Sequence, residues 1–233
     1  VTNTHWDELG EAQRSNPDVL IWPGREIITY YGHVITLGET RNTIEYRHGF
    51  DGVTLRDIQA SAKADGALFS VAHPTVFPGK EFENFCRGCN FTLGDNINWD
   101  LVDTMEIHSS DIAESPFTKT AVALWDEKLN AGYKITGISG ADNKLGDKYG
   151  QTVTAVYADE LSRDAVATAL LRGNAYVMVR GRENSPTLAM TATAPDGTNA
   201  IFGDTIVADA SATVTANLQI EKAKGQTLEI VKN

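Results

Sequence analysis

Between residues 18 and 180 the chain alternates short apolar runs with helical segments, and this alternation points to an α/β fold whose strands run mainly parallel. The runs Val19 to Ile21, Glu26 to Tyr31, Ala67 to Ala72, Thr104 to His108, Ile135 to Ile138, Thr152 to Tyr157 and Ala175 to Val179 read as strands. Three helices fall between them. The first opens at Thr54-Leu-Arg-Asp57, where a hydroxyl and a carboxylate three residues on can satisfy free amides, and Gly66 ends it. Its residues Leu55, Ile58 and Ala62 form one apolar face. The second opens at Ser115-Pro116, carries Ala121, Leu124 and Trp125, and stops near Gly132. The third runs from about Ser162 to Arg172 with Ala165, Val166, Ala169 and Leu170 inward, and Gly173 closes it.

After Ser185-Pro186 the period changes to two. Ala212, Val214, Ala216, Leu218 and Ile220 alternate with polar neighbours, the signature of a half-buried strand. Leu188, Met190 and Ala192 alternate likewise, Pro195-Asp-Gly197 supplies a turn, and Leu228 to Val231 reads as a further strand. The expected division is therefore an α/β domain over 1–186 and a small β unit over 187–233 that leans on it. The opening residues Val1-Thr-Asn-Thr-His5 read as the end of a strand, so the chain looks like a fragment.

Composition narrows the function. The 42% hydrophobic residues together with 20 Gly make up about half of the 233 residues, which is ordinary globular usage. Twenty basic against 31 acidic residues give a net charge of −11, with the basic ones scattered. Binding to nucleic acid or to an anionic membrane is disfavoured, since either needs a positive patch. No apolar run approaches the ~18 residues needed to span a bilayer. Two cysteines cannot build a disulfide framework; Cys86-Arg-Gly-Cys89 sits in a polar insertion from Lys80 to Asn98 and reads as a local disulfide or free thiols rather than a metal site. Compartment stays open, with an acidic chain and an appended β unit suiting a periplasmic or secreted bacterial protein.

In parallel α/β folds the working side chains stand at the carboxyl ends of strands. Four candidates fall there: Glu26 after Trp22-Pro-Gly-Arg, His33 after Gly32, His73 at the end of an apolar run, and Asp142 after Gly140-Ala. Imidazole and carboxylate together suit borderline divalent metals, which make hydroxide available near neutral pH. That chemistry is hydrolysis. Taken singly, each has a plainer reading: a hydrogen-bonded structural His, a solvated turn Glu, a helix-capping Asp.

Their order and spacing resemble the polymerase and histidinol phosphatase (PHP) family of metal-dependent phosphoesterases. Val1-Thr-Asn-Thr-His5 resembles the family's Thr-Asp-His motif, Pro23-Gly-Arg-Glu26 its Gly-x-Glu, and Ala67-Leu-Phe-Ser-Val-Ala-His-Pro74 its strand ending in His-Pro. Met105-Glu-Ile-His108 resembles its Glu-bearing strand, and Gly140-Ala-Asp-Asn143 its final Gly-x-Asp-x-His. Gly32-His33-Val-Ile-Thr-Leu-Gly38 and the stretch from Leu161 to Gly173 look like the branch that includes carbaryl hydrolases, which commonly carries a small C-terminal β domain. The resemblance implies a distorted, TIM-like (β/α)7 barrel holding one to three divalent ions (Zn, Mn or Fe) at its strand ends. It implies Glu26, His33, His73, Asp142 and His5 as metal ligands, Glu26 bridging two ions. Asp142, His108 and Lys144 follow as catalytic candidates, and the substrate as a small anionic ester.

The sequence departs from that pattern. The opening His-x-His is absent, Asn3 and Thr4 replace Asp and His with His5 one place late, and Lys144 stands where the last His belongs. An ammonium does not ligate a cation, but it can hold a phosphate or carboxylate as a point charge. Two functions follow: a metal-dependent phosphoesterase, with carboxylester or carbamate hydrolysis as an option, or a catalytically impaired relative that binds a ligand in the same cleft. His108 is expected to line the cleft with Glu106 on the opposite face. His48 and Arg47 read as surface or rim residues, and Trp6, Trp99 and Trp125 as packing.

Overall fold

A computed structural model describes residues 3–42, 44–75, 88, 91–109, 117–143 and 148–231. The chain opens with a helix, α1 (Asn3–Ser15), which buries Trp6 and does not continue a strand. The β-branched residues at the start suggested extended backbone, but Glu8, Glu11, Gln13 and Arg14 are good helix formers and Trp6 supplies one apolar anchor. The expected strand at Val19 to Ile21 is also absent. The Gln13 side chain takes its backbone groups instead, donating to the Val19 carbonyl at 2.6 Å and accepting from the Ile21 N–H at 2.8 Å. Arg163 holds the Ile21 carbonyl at 2.9 Å.

The centre of the fold is a five-stranded sheet in the order β1 (Gly24–Thr29), β2 (Gly32–Leu37), β3 (Leu68–Ala72), β4 (Thr104–Ser109) and β5 (Thr136–Gly140). It is mixed, not mainly parallel: β1, β2 and β3 pair antiparallel, and β3, β4 and β5 pair parallel. The two residues Tyr30 and Tyr31 join β1 to β2, too few for a crossover, so that pair is a hairpin. The Thr29 hydroxyl closes it on the Gly32 carbonyl at 2.7 Å. At its other end Arg25 clasps the fully buried Glu39 carboxylate with two hydrogen bonds of 2.6 Å, and the Thr36 hydroxyl donates to the same carboxylate.

Strand pairing sorts the side chains onto two faces. Ile27, Val34, Phe69, Val71 and Met105 share one face, which forms the core with Leu55 and Ile58 of α2 (Leu55–Ala64). Each fully buried aliphatic side chain of this kind contributes about 1.5–3 kcal/mol. The helix starts with the capping box read from Thr54 and Asp57. Glu26, His33, Ser70, Thr104 and Glu106 share the opposite face, which is therefore polar although Ser70, Thr104 and Glu106 are buried.

Helix α3 (Thr118–Asn130) lies against β4, and Trp125 donates to the Ile135 carbonyl at 2.8 Å. Beyond β5, strand β6 (Val153–Val156) pairs antiparallel with β7 (Ala175–Met178), and α4 (Arg163–Arg172) connects them, ending at Gly173 with φ of 83°. The link from β5 is a side chain: the Ser139 N–H donates to Thr154 Oγ1 at 2.9 Å. Among the described residues the hydrogen-bonded sheets have five, two and three strands and do not close into a barrel.

After the short helix α5 (Gly181–Asn184), the third sheet has the order β10 (Thr215–Glu221), β8 (Thr187–Thr193), β9 (Asn199–Ile201). The alternating segment is a strand only from Thr215 onward, with Ala212 and Val214 before it, and it is not half-buried as expected: its residues are exposed except Ile220, and Leu218 is 38% exposed. Leu228 to Val231 is not a strand, and its apolar side chains are exposed. This sheet is tied to the rest at the end of α4, where Arg172 pairs with Asp204 at 2.9 Å and Asn174 donates to the Phe202 carbonyl. The rings of Tyr157, Tyr176 and Phe202 pack together there.

Candidate metal centre

The β1–β2 hairpin carries Glu26 and His33 on one face, two residues out of direct register. Residue 72 pairs with His33, so His73 as a continuing strand residue would point to the other face. It does not continue the strand. Its φ of 25° breaks the extended geometry and turns the imidazole back over the polar face. His33 Nδ1 then lies 2.8 Å from His73 Nε2 and 3.0 Å from Glu26 Oε1, and His73 Nε2 lies 3.3 Å from the same oxygen. The two rings meet edge to face.

Glu106, on the polar face of β4, backs His73. Its Oε2 accepts the His73 backbone N–H at 2.6 Å and lies 3.2 Å from His73 Nδ1. Asp142, just past β5 and also at positive φ (47°), adds its charge to the surroundings of His73. Burial works against a charge on this imidazole, but the hydrogen bond to Glu106 and the charges of Glu106, Glu26 and Asp142 outweigh it, so its pKa is raised.

Two imidazole nitrogens and a carboxylate oxygen are the donor set of catalytic zinc-type sites, where each donor stands about 2.0–2.2 Å from the ion. Donors at that range are spaced roughly 3 Å apart, and the triangle of 2.8, 3.0 and 3.3 Å is close to that spacing. Among the described residues these three are the group of His, Cys, Asp and Glu with ligand atoms all within 4.8 Å of one another. The donors present therefore fit a divalent cation.

The other residues named from sequence are placed differently. His5 is exposed on α1 and stands outside the group. Lys144, Cys86 and Cys89 lie outside the described residues. His108 does not line the group. A register shift between Glu106 and His108 turns it to the opposite face, where it is buried with Nδ1 2.6 Å from the Thr118 hydroxyl. In a regular strand residues two apart share a face, so it is the bulge, and not alternation, that separates this pair. Glu106, read from sequence as facing away, is the one at the site. The signal that finds it is register: counted from Ser70 opposite Thr104, position 106 falls on the face of His33. Arg47 is held by Glu45 at 2.6 Å, lowering that carboxyl's pKa to about 2, and His48 packs edge-on to Tyr31.

These features define a mixed α/β protein with a two-imidazole, one-carboxylate group on the polar face of its sheet. No protein-family model and no curated protein matches the chain. Among solved structures it is similar to a two-domain protein containing a predicted PHP-like metal-dependent phosphoesterase from Bacteroides vulgatus, with a TM-score of 0.51 and 13% identity over 91% of this chain and 69% of that one. What the two share is the fold.

Proposed function

We propose that this chain is a metal-dependent hydrolase of the PHP type, acting on a small anionic ester and most directly on a phosphoester. The observation that carries the reading is the convergence of Glu26, His33 and His73 from β1, β2 and the end of β3. In the proposal these three hold one of up to three divalent ions (Zn, Mn or Fe). A bound ion supplies Lewis-acid polarisation of the ester oxygen and brings the pKa of water toward neutrality. Asp142 serves as a further ligand or as the carboxylate that takes a proton, and Lys144 as the point charge for the substrate anion. His108, buried against α3, is left out of the chemistry. In the proposal the wider architecture is a distorted barrel, as the resemblance of the sequence motifs to the PHP family implies. Carboxylester or carbamate hydrolysis is compatible with the same donors. In the described residues no helix is long and apolar enough to cross a membrane, and neither nucleic acid nor a membrane is a proposed partner.

A second reading, an impaired relative that binds a ligand without turnover, is favoured by the placement of His5 on an exposed helix outside the group. Hydrolysis of p-nitrophenyl phosphate by metal-loaded protein separates the two. The leading reading expects turnover that His73→Ala and Asp142→Ala each abolish while the fold survives. Turnover that survives both substitutions places the site elsewhere.

A further inference from the structure

We propose that Glu106 is a positioning residue that fixes which nitrogen of His73 faces the candidate metal centre. The inference rests on the metal-centre reading of Glu26, His33 and His73. The two histidines present opposite nitrogens to the group: His33 offers Nδ1, and His73 offers Nε2. An imidazole offers a lone pair at Nε2 only when its proton sits on Nδ1. At His73 that proton has an acceptor, since Glu106 Oε2 lies 3.2 Å from Nδ1. The same oxygen accepts the His73 backbone N–H at 2.6 Å, holding the residue in the positive-φ conformation that turns the ring over the polar face. One carboxylate thus secures both the backbone and the tautomer.

The surroundings fix the carboxylate in turn. Glu106 is 6% exposed, so its chain has little room to choose another rotamer. A Cβ at Gly140 would overlap the Glu106 carboxylate, so the absence of a side chain at the end of β5 is what admits it. Gly140 does not have a positive φ, so the requirement there is space and not backbone freedom. Carboxylates that accept the outer N–H of a ligating histidine typically change metal affinity by about 10–100-fold when removed.

The test is Co2+ and Zn2+ binding by calorimetry on the whole chain, with the Co2+ absorption spectrum and the 15N shifts of the metal-free His73 ring at alkaline pH, comparing wild type, E106L, E106Q and G140A. E106L keeps the volume and removes the acceptor, E106Q keeps an acceptor, and G140A displaces the carboxylate while retaining it. The expected result is Co2+ binding weakened roughly 10–100-fold with an altered spectrum in E106L and G140A, a smaller loss in E106Q, and a metal-free ring that moves from the Nδ1–H form in wild type toward Nε2–H in E106L. Wild-type affinity, spectrum and ring shifts in folded E106L overturn the proposal; if E106L fails to fold, the same result in G140A does so. A wild-type chain that binds neither metal overturns the metal-centre reading instead, and the ring shifts then decide the role of Glu106 without it.

Discussion

His33 Nδ1 and His73 Nε2 stand 2.8 Å apart although 40 residues separate them in the chain. Two local events produce this meeting. The β2–β3 register sets His33 opposite the residue before His73, and a positive φ then swings His73 off the strand path and back over the same face. A third group, Glu26, reaches both nitrogens from the neighbouring strand of the hairpin.

The raised pKa of His73 carries a sign that can be checked in metal-free protein. The charged imidazole, favoured by Glu106, Glu26 and Asp142 over the opposing effect of burial, adds stability in full below the unfolded value near 6.5. That stability is lost as pH rises through the folded-state value. The unfolding free energies of wild type and H73Q, measured by urea denaturation in the presence of chelator, should therefore converge as pH rises above about 6.5. Divergence over that range contradicts the assignment.

His108 has the opposite sign. Burial disfavours its charged form and lowers its pKa. The fold then loses stability as pH falls below about 6.5 toward the folded-state value, because the unfolded chain takes up the proton first. H108N should flatten this part of the stability profile below about pH 6.5. A variant with the wild-type slope there shows that His108 is not the group responsible.

The buried clasp at the base of the hairpin predicts an asymmetry between single and double substitution. Glu39 is 2% exposed, and Arg25 is its ionic partner at 2.6 Å. Removing Glu39 alone strands the guanidinium, so E39A should cost about 3–5 kcal/mol in denaturant melts. An apolar pair such as R25M/E39L should recover much of that loss. A double variant as unstable as E39A assigns the loss to packing rather than to stranded charge.

Gly203 sets how the third sheet meets the end of α4. Its φ is 80°, and a Cβ there would overlap the backbone of Arg172 and Gly173. G203A should cost about 1–3 kcal/mol, or several degrees in Tm for a chain of this size. An unchanged Tm contradicts this close approach.

How far the sequence revealed these features varied with how local each one is. The capping box at Thr54 and Asp57 and the stop at Gly173 are set by neighbours within a turn, and the structure has them where they were read. The pattern of apolar runs likewise located β3, β4 and β5. Sheet direction was less legible, because antiparallel pairing of β2 and β3 depends on contacts far apart in sequence. Val19 to Ile21 looked like a strand until Gln13 and Arg163, from distant positions, took up its backbone groups. At the candidate site Glu26, His33 and His73 were named from spacing. His108 is misplaced because the bulge before it turns it off the site face, and apolar periodicity carries no trace of a bulge; Glu106 is missed because its face is set by the pairing of β4 with β3, which no local pattern shows.

The central claim is that Glu26, His33 and His73 hold a divalent cation. Elemental analysis of protein purified without chelator tests it most directly, run beside H73A and E26A purified in the same way. The account predicts at least about one equivalent of transition metal in wild type and its loss in both variants. Wild-type protein with well under one equivalent, or variants that retain the full complement, would contradict it.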